Sequence, residues 1–444
     1  MHCGETGAGR RFMQSIALNN VYRRTAIRAL PMPSASVSPP PLFLKCAGAA
    51  TLSGVVVWIE PAPCDIAIVL LLVVGLLFGF LSFRRTHAVP ALLLDGFAIA
   101  NLFSMVNAVD PQLGWRRAGI TLYLVASWFF FTGLVTRYGE PAARLLIQCY
   151  VAAGVLSATL ATLAYAGFLP WLEDILLMYR WRGRGFFKDP NVFGPYLVYV
   201  AVLAISRWDT PGTVWMRKAL WTVALLVVST GVLISFSRAC CLNCAVSVVV
   251  YFWLRLLAGS IRSVFRALAF GGLLAVLLIL AIRIPEVQQR VDLRLGNSGL
   301  QSYDADRFQN QQQALQTALE HPFGIGPGQA ELLLHYSIHS TYLQLFYETG
   351  ILGMLSYLAF SLLTLYRCAR LSLSAGTIEW RVRFAVIAAC LTGHLVNTAV
   401  IDAIHWRHVW FWFALAWTAI PFAQGTRVAV KQHCNAGREP VLGR

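Results

Sequence analysis

Four cations crowd one short stretch of this chain, Arg180-Trp181-Arg182-Gly183-Arg184-Gly185-Phe186-Phe187-Lys188-Asp189-Pro190-Asn191. One or two basic residues beside Trp and Phe are ordinary snorkelling anchors at a membrane surface. Arg180, Arg182, Arg184 and Lys188 together exceed that use and suit an anionic ligand. Asp189 before Pro190 reads as a helix start, with Gly194 allowing close helix approach. Backbone N–H groups at such a start also favour anions. A second cation, Arg238, closes the tight turn Ser235-Phe236-Ser237 between two apolar runs. Its alternative is an isolated boundary arginine that snorkels. A third, Arg307, sits in the stretch Asp304 to Glu320, where Phe308, Leu315 and Leu319 form an apolar helical stripe. Asp304, three residues before it, offers a plain surface pairing instead.

Two histidines, His335 and His339, lie four apart just before another apolar run. A zinc site would need a third ligand, and a zinc-protease pattern an intervening Glu; the sequence offers neither. A neutral His at the rim of a membrane cavity suits a general base, because its ordinary pKa of about 6.5 lets it accept a proton near neutrality. The plainer alternative is an interfacial His that hydrogen-bonds a neighbour. Gly324-Ile325-Gly326-Pro327-Gly328 lacks the Lys-Ser/Thr of a phosphate loop. Cys240, Cys241 and Cys244 lack a His or fourth ligand nearby and read as helix packing. Asp304-Ala305-Asp306 looks like the acid pair of nucleotide-sugar transferases, but it stands beside Arg307 in a loop expected on the wrong side for nucleotide sugars. Asp95 and Glu348 fall inside apolar runs and read as an ion path or as structurally paired acids.

The elements that must position these residues are membrane helices. The 444 residues are 57% hydrophobic and 13% charged, where a soluble chain carries about 25% charged. A span needs roughly 20 apolar residues, and backbone polarity restricts spans of this kind to helices. Apolar runs lie near 41–59, 64–83, 88–108, 118–136, 145–168, 191–206, 219–236, 239–258, 264–283, 341–366, 384–401 and 408–423. The expected fold is therefore an all-α integral membrane protein of about twelve transmembrane helices, with one large periplasmic loop containing short helices.

The net charge of +16 would suggest nucleic acid in a soluble protein. Here the basic residues concentrate in both tails and in the loops of their side, which marks that side as cytoplasmic. No nucleic-acid partner is expected. The division is a cytoplasmic tail over 1–40 without signal-peptide pattern, helices one to nine over 41–283, a periplasmic loop over 284–340, helices ten to twelve over 341–423, and a cytoplasmic tail over 424–444. The first span is the weakest, because Lys45 shortens it and Gly and Ala dilute it. Of ten Cys, only Cys64 faces the outer side, so no structural disulfide is expected.

The order of motifs resembles the O-antigen ligase and O-antigen polymerase superfamily of bacterial envelopes. The matching motifs are Gly185-Phe186-Phe187-Lys188-Asp189-Pro190-Asn191-Val192-Phe193-Gly194, Ser237-Arg238, His321-Pro322-Phe323-Gly324-Ile325-Gly326, and His339-Ser340 through Glu348-Thr349-Gly350-Ile351-Leu352-Gly353. The resemblance implies a metal-independent, inverting transfer of glycan from an undecaprenyl-pyrophosphate carrier on the periplasmic face of the inner membrane, with no cofactor. It implies His339 as the acceptor-activating base and Arg238 and Arg307 as diphosphate partners. Arg180, Arg182, Arg184, Lys188 and His335 are further substrate-binding candidates. Many relatives carry His-Asn where this chain has His339-Ser340.

The expected function is an O-antigen ligase with lipid A-core as acceptor and membrane lipid as surroundings. The alternative is a polymerase of the same superfamily, which differs in its acceptor. A lipid-glycan transporter would call for inverted repeats and charges within the spans, and a scaffold would need no basic outer cavity.

Overall fold

The computed structural model describes residues 41–208, 210, 213–263, 265–266, 269, 272, 283, 302–334 and 337–418, with side chains described from Phe308 onward in the helix that begins at Ser302. The tail expected over 1–40, the run at 264–283 in all but a few positions, and the tail beyond 418 lie outside them.

The chain is mostly helical. It opens with α1 (Pro41–Leu52), α2 (Pro63–Leu77), α3 (Ala88–Phe103), α4 (Pro111–Tyr138), α5 (Glu140–Tyr165) and the short α6 (Glu173–Leu176). A small antiparallel hairpin follows, β1 (Leu177–Met178) with β2 (Arg182–Gly183). Then come α7 (Pro190–Ser206), α8 (Trp215–Ile234) and α9 (Arg238–Leu257). Further along the chain are α10 (Ser302–Glu320), the short α11 (Gln329–Leu333), α12 (Thr341–Ser374), α13 (Ile378–Asn397) and α14 (Arg407–Ala416). Among the described residues, six helical segments, Arg85–Asn107, α4, α5, α8, α9 and α12, are long and apolar enough to cross a membrane, and the apolar helices Pro41–Val55, Pro63–Leu77 and Pro190–Ser206 are shorter. Every run expected as a span outside 264–283 overlaps a helix, and of the helices in the expected large loop α11 is short, with 5 residues, while α10 runs for 19. Large apolar side chains such as Leu70, Leu77, Leu92 and Leu220 point outward, as lipid-facing surface does and as a water-soluble surface rarely does.

Contacts gather the starts of α2, α4, α7, α9, α12 and α14 at one end of the bundle: Asp65 meets Arg407, Asp110 meets Gln329, Arg182 bridges Asn191 and Ser235, and Thr341 meets Ala403. The candidate chemistry is at this end. The opposite end is closed by ions: Arg383 on α13 makes a two-pronged contact with Glu140 at the start of α5, 2.6 and 2.7 Å, and Arg144 adds 2.7 Å. The centre is aromatic. Tyr150 of α5 and Tyr196 of α7 stack at 4.1 Å, and each hydroxyl donates to the other's carbonyl at 2.9 Å. Phe411 and Trp412 of α14 pack on Tyr150. Both phenols are thus satisfied inside an apolar core, where an orphaned hydroxyl would cost about 1–3 kcal/mol.

Candidate functional site

His339 precedes α12 and is held from both sides. Upstream, Gln311 on α10 donates from Nε2 to the Ile338 carbonyl at 3.0 Å, and Ile338 is buried. Downstream, the Thr341 N–H donates to the carbonyls of Thr398 and Ile401, and its hydroxyl donates to Ile401 at 2.9 Å while accepting from the Ala403 N–H at 2.9 Å. Tyr342 and Thr398 are joined through their hydroxyls. His339 itself has φ +52°. A left-handed backbone costs a non-glycine residue about 1–2 kcal/mol, and residues held there cluster at functional sites. The backbone at His339 is therefore held by its neighbours' bonds against its own preference, and its imidazole is half-buried.

The two glycine-bearing motifs are one structural unit. Ile325 and Gly326 donate their N–H groups to the carbonyls of Tyr347 and Glu348, both at 3.0 Å, and Ile351 donates back to Pro322 at 2.9 Å. Gly350, at φ 70° and ψ −175°, breaks α12 at that point. A Cβ on Gly350 would run into the Pro322 carbonyl, and one on Gly324 (φ +84°) into the Glu348 carbonyl. The backbones touch so closely that neither position has room for a side chain. Glu348 is buried beneath this clamp and accepts from Gln344 at 3.3 Å. It is thus a structurally paired acid. Asp95, by contrast, points outward from α3. The clamp's far side is tied to the start of α4, where Gln329 bonds both the N–H and the carbonyl of Asp110 and Glu331 meets Arg117 at 2.6 Å.

The basic stretch folds as the β1–β2 hairpin, and the four cations do not converge. Tyr179 and Arg180 have φ 54° and 61°, and the Trp181 N–H returns to Met178, the pattern of a type I′ turn. Arg180 stands exposed at the tip. Arg182 turns inward, 8% exposed, and donates to the Ser235 carbonyl at 3.0 Å and to Asn191 at 3.4 Å. Arg184 donates to the carbonyls of Ile175 and Asp174 at 3.1 and 2.7 Å, which fastens the hairpin to α6. Lys188 pairs with Glu60 at 2.7 Å.

Burial opposes ionisation of Glu60, but Lys188, Arg407 and Arg116 outweigh it and hold the carboxyl below its usual range. Asp189 caps α7 through the Asn191 N–H at 2.7 Å, and a Cβ on Gly194 would strike Cys240 of α9, as the close approach requires. Arg238 is exposed in the first turn of α9, after the Ser237 cap. A cation there opposes the helix dipole, so the helix does not account for it. Arg182 and Arg238 thus share the Ser235–Ser237 corner. Position 307 lies on α10 with its side chain outside the described residues, as is His335.

Residues passed over in the sequence complete this end of the bundle. Arg407 at the head of α14 meets Asp65 in a bidentate pair, both bonds 2.6 Å. His405 and the Thr121 hydroxyl are 3.2 Å apart. Burial raises the Asp402 carboxyl to about 6 and lowers His405 to about 3. The available signal was four ionisable residues, Asp402, His405, Arg407 and His408, packed between two apolar helices. Among the described residues, no group of three or more His, Cys, Asp or Glu side chains is placed to hold a metal ion.

Residues 223–358 match the model of a family described as O-antigen ligase. This segment carries Arg238, position 307, His339 and the clamp, and it excludes the hairpin and the 398–408 turn. No curated protein matches the chain.

Proposed function

From the match of residues 223–358 to the family described as O-antigen ligase, we propose that the protein is the ligase. It moves glycan from undecaprenyl pyrophosphate onto lipid A-core at the periplasmic face of the inner membrane. The observation that supports this reading is His339, inside the matched segment, held in a left-handed backbone at the mouth of the bundle.

His339 accepts the proton of an acceptor hydroxyl as that oxygen attacks the anomeric carbon. The carbon–oxygen bond to the diphosphate breaks on the opposite face, and undecaprenyl pyrophosphate leaves with the electron pair. The sugar carbon inverts. General-base help of this kind contributes about 10²- to 10⁴-fold. The leaving diphosphate needs permanent, forked donors at the membrane boundary, the part given to Arg238 and Arg182 at one corner and to Arg307 from α10. Arg180 at the hairpin tip is placed to meet the carrier from outside, while Arg184 and Lys188 shape the hairpin. No step requires a metal or an organic cofactor.

The test is reconstituted transfer with purified protein, undecaprenyl-pyrophosphate glycan and lipid A-core in the presence of chelator, comparing the native chain with His339→Ala. Glycan on lipid A-core only when His339 is present supports the ligase. Longer glycan on the carrier, with none on lipid A-core, identifies a polymerase. Transfer by His339→Ala at the native rate refutes the base.

A further inference from the structure

A cleft of about 150 Å³ opens at the same end of the bundle, between α4, α7, the start of α14 and the segment before α2. Its wall carries Lys188, Arg117, Arg407 and Glu60, and the first impression is of an anion trap. The pairings say otherwise. Lys188 is matched by Glu60 at 2.7 Å, Arg407 by Asp65 at 2.6 Å, and Arg117 by Glu331 at 2.6 Å. Each cation already has its own carboxylate, so an entering phosphate would gain little attraction and would be set against Glu60. What remains is a ring of fixed donors and acceptors around an apolar floor made by Ile120, Phe187 and Trp406. On the same wall His405, whose Nε2 lies 3.2 Å from the Thr121 hydroxyl, adds a further polar group to the ring.

Neutral polyhydroxyl rings match this chemistry: hydroxyls at the edge for the ion pairs, C–H groups on the face for the apolar floor. A closed cavity of about 150 Å³ holds the six carbon atoms of benzene; this cleft is open on one side, so it can seat the ring of one sugar unit with the remaining hydroxyls at the opening. We propose that the cleft is a subsite for one uncharged sugar unit of the reacting glycans, held by Glu60, Lys188, Arg117 and His405. The proposal rests on the transferase reading, because the cleft is joined to the His339 corner. His405 belongs to the turn whose Ile401 and Ala403 backbone groups anchor Thr341, and Arg117 reaches Glu331 of the clamp. A chain of sugars leaving the cleft along this turn leads to His339.

The sugar belongs either to the donor glycan or to the core acceptor, and one experiment separates these. Binding is measured to full-length protein carrying His339→Ala, so that nothing is consumed. The probes are undecaprenyl-pyrophosphate glycan, sugar-free undecaprenyl pyrophosphate and dephosphorylated core oligosaccharide. Ile120→Trp, which fills the cleft, is expected to weaken one sugar-bearing probe about tenfold, a change of about 1.4 kcal/mol, and to leave the sugar-free carrier unchanged. The probe that weakens names the source.

Glu60→Gln, a milder change that guards against misfolding of the first, is expected to weaken the same probe, since it removes a strong acceptor. An anion site would respond in the opposite direction, because the change removes a negative charge. Unchanged affinity for both sugar probes, or a sugar-free carrier that responds as they do, overturns the subsite. Binding needs no turnover, so a chain that binds with this pattern yet transfers nothing refutes the ligase and keeps the subsite. Native transfer by Ile120→Trp at unaltered KM for both substrates does the reverse.

Discussion

Substituting Gly350 by Ala should loosen the clamp over α12 and leave the remainder of the bundle intact. The residue sits at φ 70° and ψ −175°, a region that is essentially glycine-only and costs another residue about 1–3 kcal/mol. The added methyl also meets the Pro322 carbonyl and the backbone of Phe323, neither of which a rotamer change can move. Relief must come from undocking, which breaks up to three backbone bonds, Ile325 to Tyr347, Gly326 to Glu348 and Ile351 to Pro322. At about 0.5–1.5 kcal/mol net each, these set a ceiling on the penalty, because beyond it the clamp opens.

The expected shift of the local opening equilibrium is about 2–4 kcal/mol, or roughly 30- to 700-fold. Limited proteolysis read by mass spectrometry should show cleavage between 321 and 340 accelerated by about that factor, with cuts elsewhere at the native rate. Gly119→Ala is the control. Its Cβ meets nothing within 4 Å, and Ala in a helix interior is better than Gly by about 0.5–1 kcal/mol. Native cleavage rates in Gly350→Ala, or the same acceleration in Gly119→Ala, would refute the reasoning.

Three further outcomes are expected. His339→Ala should lower transfer by about 10²- to 10⁴-fold with an unchanged melting curve; a loss confined to KM would count against the base. Arg407→Ala strands the Asp65 carboxylate, which is 13% exposed, and breaking such a pair costs about 3–5 kcal/mol. The double change with Asp65→Asn should recover much of the melting temperature, and no recovery would mean that the pair is not the cause. The pH profile of stability should turn on Asp402 and His405. Asp402, raised to about 6, stabilises fully below the usual carboxylate range and loses that contribution as pH rises to about 6. His405, lowered to about 3, contributes fully above its usual value of about 6.5 and loses it as pH falls toward 3. The slopes oppose each other between about pH 4 and 6, so Asp402→Asn should make the melting temperature climb more steeply over that window. Parallel profiles for the two proteins would sink this account.

Much of the helical layout was legible, because apolar runs of span length have few other uses. The boundaries shifted where helices begin with charge. The run expected from 118 starts at Pro111 and carries Arg116 and Arg117 in its early turns, and the one expected from 384 starts at Ile378 with Arg381 and Arg383. Hydropathy sees the lipid-facing middle of a helix and misses an amphipathic end.

The helix-start reading at Asp189-Pro190 held for the same reason that it was visible: a cap is a local device. The grouping of the basic stretch was not local. Lys188 finds Glu60 and Arg182 finds the Ser235 carbonyl, far away in the chain, and the tight turn at Tyr179 and Arg180 divides the side chains between tip and interior. The polar turn at 398–408 was passed over because its middle, 402–407, read as a plain connection between two spans and its ends as parts of those spans.

The bond from Ile351 to Pro322 ties off a loop at its own base, and His339 lies on that loop. Changes in chain length upstream of Pro322 therefore end at the knot. Since the entropy of closing a loop grows only logarithmically with its length, by about 0.6 kcal/mol per doubling, a few residues more or fewer between Pro322 and Ile351 would scarcely change the cost of closing this ring. The frame around His339 is thus set at the base of its own loop and not by the chain on either side.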